Sequence, residues 1–146
     1  MLSLETFPYF NFVILSTIFI YVWDTYLNIR QRAKLQETEP SQELLQNKLT
    51  TKEEFQKSQT YGLDKNSFTL FKDAINLVEQ LIFISTGYLY FWNATGAFTH
   101  NLYYHSLLFI IAYQVFETLI STPFGYYKNF VIEERHGFNK QTLSIF

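Results

Sequence analysis

The sequence predicts an all-α membrane protein, a polytopic helical bundle with three transmembrane helices. Three observations carry that expectation. Apolar stretches at residues 7–27, 74–94 and 102–122 each have the ~20-residue length that lets a helix cross a ~30 Å hydrocarbon core. Charged residues make up 16% of the 146, against roughly 25% in soluble domains. Every one of the 11 Lys and Arg residues lies outside the three stretches.

The first stretch has a signal peptide's position but not its pattern. Glu5 is the only charge in residues 1–10, and no small-x-small site precedes Arg30, Arg32 and Lys34; a retained anchor is expected. Eight of the Lys and Arg residues fall in the polar loop 28–73, and Lys128, Arg135 and Lys140 follow the third stretch. The positive-inside rule then makes loop 28–73 and segment 123–146 cytosolic and the N-terminus lumenal. Aromatic residues at the stretch ends, among them Tyr9, Phe10, Trp23, Tyr26, Tyr88, Tyr90, Phe91, Trp92, Tyr103 and Tyr104, resemble interfacial belts.

Within the loop, Pro40-Ser41 marks a break. Thr51-Lys52-Glu53-Glu54 reads as a capping box that opens a short helix over about residues 52–58. Tyr61-Gly62-Leu63 is expected to end it. Asp64 is then the expected N-cap of a long helix running into the second span, projecting ~15 Å below the membrane. Pro123 is expected to end or kink the third span.

Composition excludes several chemistries. The chain has no Cys, so disulfides, thiolate metal sites and cysteine nucleophiles are absent. A formal net charge of −2 gives no sign of a nucleic-acid partner. There is no H-E-x-x-H, G-x-S-x-G or P-loop. His100 and His105 are five apart and on the expected lumenal side, while His136 is cytosolic, so the three cannot share one metal. Glu133-x-x-His136 has di-iron spacing, but one copy in a charged segment reads more simply as a salt-bridged loop. Asn93-Ala94-Thr95 is a glycosylation sequon expected to be unused, because it abuts the membrane.

Glu79, Gln80, Gln114 and Glu117 lie inside the spans, with Asp24 at the end of the first. Intramembrane carboxylates face protein or water. Glu79, Gln114 and Glu117 are therefore candidates either for helix–helix hydrogen bonding or for a polar cavity open to the cytosol. Gln114 and Glu117, three apart, are expected on one helix face.

The stretch Phe130-Val131-Ile132-Glu133-Glu134-Arg135-His136-Gly137-Phe138-Asn139-Lys140-Gln141-Thr142 resembles the signature of the type I CAAX prenyl proteases. Pro123-Phe124 and Tyr126-Tyr127 resemble the lead-in to that signature. Tyr26-Leu27-Asn28-Ile29-Arg30-Gln31 is similar to the family's Y-L-x-x-R-Q, and Tyr61-Gly62-Leu63-Asp64-Lys65 with Phe68 to its L-D-K segment.

The resemblance implies the N-terminal membrane region of a seven-span helical barrel in the endoplasmic reticulum. It implies a zinc endopeptidase that removes the last three residues of prenylated CAAX proteins, with a Glu as general base. The family's H-E-x-x-H helix and third ligand lie later than Phe146, so no catalytic residue and no zinc ligand is carried over, and this chain is expected to bind no cofactor itself. Glu133, Glu134, Arg135, His136, Gly137, Phe138, Asn139 and Lys140 are expected to be structural or to line the chamber. The alternative is a non-catalytic three-span scaffold or partner protein derived from that family.

Overall fold

The computed structural model describes residues 8–42, 45 and 50–142. The start of the first expected span at Phe7 and residues 143–146 of the cytosolic segment lie outside them. The described residues are all helical or irregular, with no strand. Helix α1 runs Tyr9–Leu35, α2 Lys52–Ile82, α3 Tyr88–Gly96 and α4 Leu102–Tyr127. Two π-helical stretches, Phe83–Gly87 and Lys128–Glu133, follow α2 and α4. Ile82, Gly87 and Tyr88 all keep right-handed helical angles, so the helical backbone is continuous from Lys52 to Gly96.

Among the described residues, two helical stretches are long and apolar enough to cross a membrane, Tyr9–Leu35 and Leu102–Glu133. The second expected span, residues 74–94, is divided among the end of α2, a π stretch and α3. No single α-helix there reaches span length, because one wider turn shifts the register midway.

Two local expectations are corrected and a third is narrowed. The 52–58 helix does not end at Tyr61-Gly62-Leu63; α2 continues through it. Gly62 serves a close approach rather than a break: a Cβ there would meet Leu35 Cδ2 at 2.5 Å. Asp64 is consequently inside α2 and caps nothing. Its carboxylate is used elsewhere, as described below. Pro123 also lies inside α4. Proline deletes one N–H donor, leaving the Leu119 carbonyl without its usual helical partner, and four more residues of α-helix follow. The capping box, by contrast, forms as expected: Thr51 N donates to Glu54 Oε2 at 3.0 Å, and Glu54 N donates to Thr51 Oγ1 at 3.2 Å.

The chain divides into two compact units. One comprises Met1–Asp24 and Asp73–Thr118, the other Thr25–Lys72 and Leu119–Phe146. The first unit is held by aromatic packing. Phe83, 6% exposed, has the rings of Tyr88, Phe91, Tyr113 and Phe116 within 5.5 Å of its own. His105 packs at 3.8 Å on Trp92 and bonds the Trp92 carbonyl through Nε2 at 2.8 Å. Thr95, 8% exposed, gives its hydroxyl to the carbonyls of Phe91 and Trp92. A threonine committed in this way inside a helix is a poor sequon acceptor partner.

The second unit ends its last helix on glycine. Phe138 N bonds Glu133 O at 2.8 Å and Gly137 N bonds Glu134 O at 3.0 Å, the paired bonds of a Schellman stop. Gly137 carries φ +74°, which a side chain resists even though a Cβ there would meet nothing within 4 Å. Gly137→Ala is therefore expected to cost about 1 kcal/mol purely from backbone conformation. Gly137→Asn, which tolerates left-handed angles, should cost less. Thermal unfolding of the two variants checks the order.

Candidate functional site

The second unit is organised by one face of α2. Toward α1, the buried Asn66 donates from Nδ2 to the Asn28 carbonyl at 3.0 Å, and Arg32 Nη1 donates to Ser67 Oγ at 2.6 Å. Gln59 Nε2 reaches the Lys34 carbonyl at 3.4 Å. Toward residues 133–138, Tyr61 and Asp64, three apart and hence on one helix face, receive the segment after α4. The Tyr61 hydroxyl lies 2.7 and 2.8 Å from the two Glu133 oxygens, to which it donates. Asp64 Oδ2 accepts from Arg135 Nη1 and from His136 Nε2, each at 2.9 Å. Phe138 packs on the Tyr61 ring with centroids 4.7 Å apart, and the His136 ring meets it edge-on at 5.2 Å. Lys65 Nζ sits 5.0 Å above the same ring.

The π stretch Lys128–Glu133 makes this docking geometrically specific. Its wider turns rotate the residues that follow relative to those of α4. Ile132, 2% exposed, is buried within the stretch. Glu133, Arg135 and His136 follow as a set with partners three residues apart on α2. Asn139 Nδ2 donates to Glu134 Oε2 at 2.9 Å, and Asn129 Nδ2 to Gln141 Oε1 at 3.0 Å, which ties the strand of irregular chain back onto the helix end.

Electrostatics follow from the geometry. The His136 ring first, and the Arg135 guanidinium after it, hold the Asp64 carboxyl below its ordinary value of 3.8, against the opposing effect of partial burial. A lowered folded value means that the charged form stabilises the fold. That stabilisation is complete above pH 3.8 and disappears as pH falls through the lower folded value.

Beneath this network lies a cleft of 560 Å³. Phe68, Phe71, Pro123, Phe124, Tyr127 and Ile132 line it, with Asp64, Ser67 and Arg135 also contributing. Phe68 stacks on Tyr127 at 5.5 Å and tilts against Phe124 at 6.4 Å.

The sequence candidates divide cleanly. Glu133, Arg135, His136 and Phe138 are brought together on α2, while Glu134, Gly137 and Asn139 shape the turn. Lys140 is exposed. Glu133 and His136 do not converge on one point: they go to Tyr61 and Asp64. Among the described residues no three of His, Cys, Asp and Glu converge to hold a metal, so no step through zinc is derived from this chain.

Of the intramembrane candidates, Glu117 accepts from Tyr113 at 2.8 Å and lies within electrostatic reach of Glu79. Glu79 Oε1 is buried with no hydrogen-bond partner. Gln114, three residues before Glu117 on α4 and so on the same side of that helix, is exposed, while Glu117 bonds Tyr113 rather than Gln114. A polar cleft of 150 Å³ occurs in the first unit, but Thr17, Tyr21, Asp24, Asp73, Asn76 and Gln80 line it.

Sequence reasoning missed Tyr61, Asp64 and Asn66 as anchors. The available signal was that Tyr61 and Asp64 sit in the stretch that carries the family resemblance, where a turn and a cap were expected instead.

Long apolar helices and a polar segment locked onto a helical hairpin define a helical membrane protein domain. A family described as CAAX prenyl protease N-terminal, five membrane helices, matches residues 31–146, and the chain belongs to it. It is 34% identical over 145 residues to the CAAX prenyl protease 1 homolog of Homo sapiens, covering 94% of this chain and 30% of that protein. The homolog from Arabidopsis thaliana is 31% identical over 147 residues, covering 95% and 34%. The crystal structure of S. mikatae Ste24p matches with a TM-score of 0.83 at 31% identity, covering 95% of this chain and 33% of that one. The chain thus spans about a third of the length of these relatives.

Two predictions follow from the anchors. Asp64→Asn removes the carboxylate charge and leaves a single, weaker amide acceptor for Arg135 and His136, and is expected to cost about 1–2 kcal/mol, discounted for the exposure of Arg135. Hydrogen exchange at residues 133–138 reads it as lost protection. In the unaltered protein the same protection should persist above pH 3.8 and fall below it; Asp64→Asn should flatten that acid transition, and an unchanged profile would refute the assignment.

Proposed function

We propose that this chain is the N-terminal membrane scaffold of a zinc metalloendopeptidase that removes the C-terminal tripeptide from prenylated CAAX proteins. The reading places it in the endoplasmic reticulum membrane, with its N-terminus lumenal and the docked 133–140 segment cytosolic. The zinc and its ligands belong, in this reading, to parts of the full-length protein outside these 146 residues. Membership of the family supports the reaction class, and the distribution of Lys and Arg supports the orientation.

The observation that carries the reading is the convergence of three distant stretches. Asn28, Tyr61 with Asp64, and Glu133–Phe138 come from the three stretches that resemble the family, and they meet in one unit, Asn66 beside the second stretch making the bond to Asn28. A folded, mutually bonded set of this kind positions a wall beside a substrate path. It performs no bond cleavage.

Membranes carrying the full-length gene product should release the C-terminal tripeptide from a prenylated CAAX peptide. Chelation should abolish the release and zinc restore it. Tyr61→Phe with Asp64→Asn should lower it at least fivefold while leaving membrane insertion intact. Absence of any hydrolysis, with stable binding to a membrane partner, would favour the non-catalytic scaffold instead.

The native chain has no Cys, so orientation is directly testable. A single cysteine at Lys57 should react with an impermeant thiol reagent from the cytosolic side only, and one at Thr99 from the lumenal side only. The reverse pattern overturns the topology.

A further inference from the structure

We propose that the cleft lined by Phe68, Phe71, Phe124 and Tyr127 is the seat of the substrate's isoprenyl chain, an inference that rests on the reading above. Its volume, 560 Å³, lies within the ~300–1,000 Å³ of ordinary small-ligand sites. Its floor is built mostly of rings and a proline, with Ile132 as the aliphatic side chain. Phe68 is fixed by stacking on Tyr127, and Pro123 is held inside α4. Rigid ring faces of this kind suit a methyl-branched, unsaturated chain, whose double bonds and methyl groups pack against flat surfaces. A saturated acyl chain gains less from them than from the bilayer it already occupies. Phe71, 61% exposed, leaves its ring available at the cleft.

The rim supplies the other half of the recognition. Arg135 lines the cleft, and Arg32 reaches it through Ser67 Oγ. Asp64 is the carboxylate among the lining residues. Arg135 and Asp64 line the cleft as an ion pair, and Arg32, bonded to the lining Ser67, adds a guanidinium beside the apolar floor. That is the complement of an amphiphile with an apolar chain and a nearby anionic end, and a CAAX peptide has both: the isoprenyl group on its cysteine and the free carboxylate a few residues beyond. Asp64 also orients the rim, because its bonds to Arg135 and His136 set where the guanidinium stands.

The test uses the full-length protein in lipid nanodiscs and a CAAX peptide whose cysteine carries a diazirine-bearing isoprenyl chain. Photolabelling should map by mass spectrometry to Phe68, Phe71, Phe124 or Tyr127. An unlabelled prenylated peptide should displace it; the same peptide without its isoprenyl group and an anionic phospholipid added in excess should not. Phe71→Ala, at an exposed position that does not threaten folding, should cut labelling at least fivefold and raise KM for the prenylated peptide with little change in kcat. Phe71→Leu should restore part of both.

Labelling elsewhere in a protein that still cleaves the peptide overturns the assignment of the cleft and leaves the proposed function standing. Equal displacement by phospholipid overturns it too, in favour of a lipid site. Loss of cleavage of every prenylated peptide would instead remove the function on which the inference rests.

Discussion

One oxygen of Asp64 is bonded to both the Arg135 guanidinium and the His136 ring, and the second unit depends on that contact. Arg135 and His136 are consecutive residues at the end of a helix, so an acceptor that binds both fixes the rotation of that helix end as well as its distance from α2. Tyr61, one turn earlier, takes Glu133 and closes the same register from the other side. The His136 side chain is only 13% exposed. Removing its partner would leave a polar ring in a poorly hydrated place, a loss larger than the net gain from forming such a bond. The contact therefore acts chiefly against alternative dockings.

Everything else in the unit is arranged so that α2 can serve this role. Gly62 admits Leu35 of α1 close to the backbone, immediately beside Tyr61. Asn66 is buried and bonds the Asn28 carbonyl. One helix thus presents a small residue and an amide to α1, and a phenol, a carboxylate and Phe68 to the chain after Pro123. Thr51 and Glu54 close its beginning, well before the segment that enters the membrane unit, so the face from Gln59 to Phe68 is regular helix throughout.

The first unit is bound by different physics. Surrounded by lipid, its helices gain little from hiding apolar surface from other apolar surface; close packing and internal hydrogen bonds do the work. The ring cluster around Phe83 and the bonds from Thr95, His105 and Tyr113 fit that requirement. Glu79, with one buried oxygen lacking a partner, is its costly group. Phe83 opens the π stretch, whose wider turn rotates the residues after it, Tyr88 and Phe91 among them, relative to those before.

Several properties were legible in the residues alone. Helical class, the apolar stretches and the capping box are local matters: each depends on composition or on contacts a few positions apart. The 130–142 stretch and its two companions were also recognisable, because a motif is read along the chain. What lay beyond the sequence was every role set by a partner from far away. Gly62 looked like a breaker and proved to be a contact, since its neighbour Leu35 is 27 positions distant. Asp64 looked like a cap and proved to be an acceptor for side chains 71 and 72 residues later. Pro123 was expected to end or kink the third span; the helix does not end there, since one missing donor does not stop it. The sequence by itself determined the helical class and the family resemblance, because both are read along the chain. Only the tertiary structure decided that the three family-like stretches meet on one face of α2, because that requires pairing across the fold.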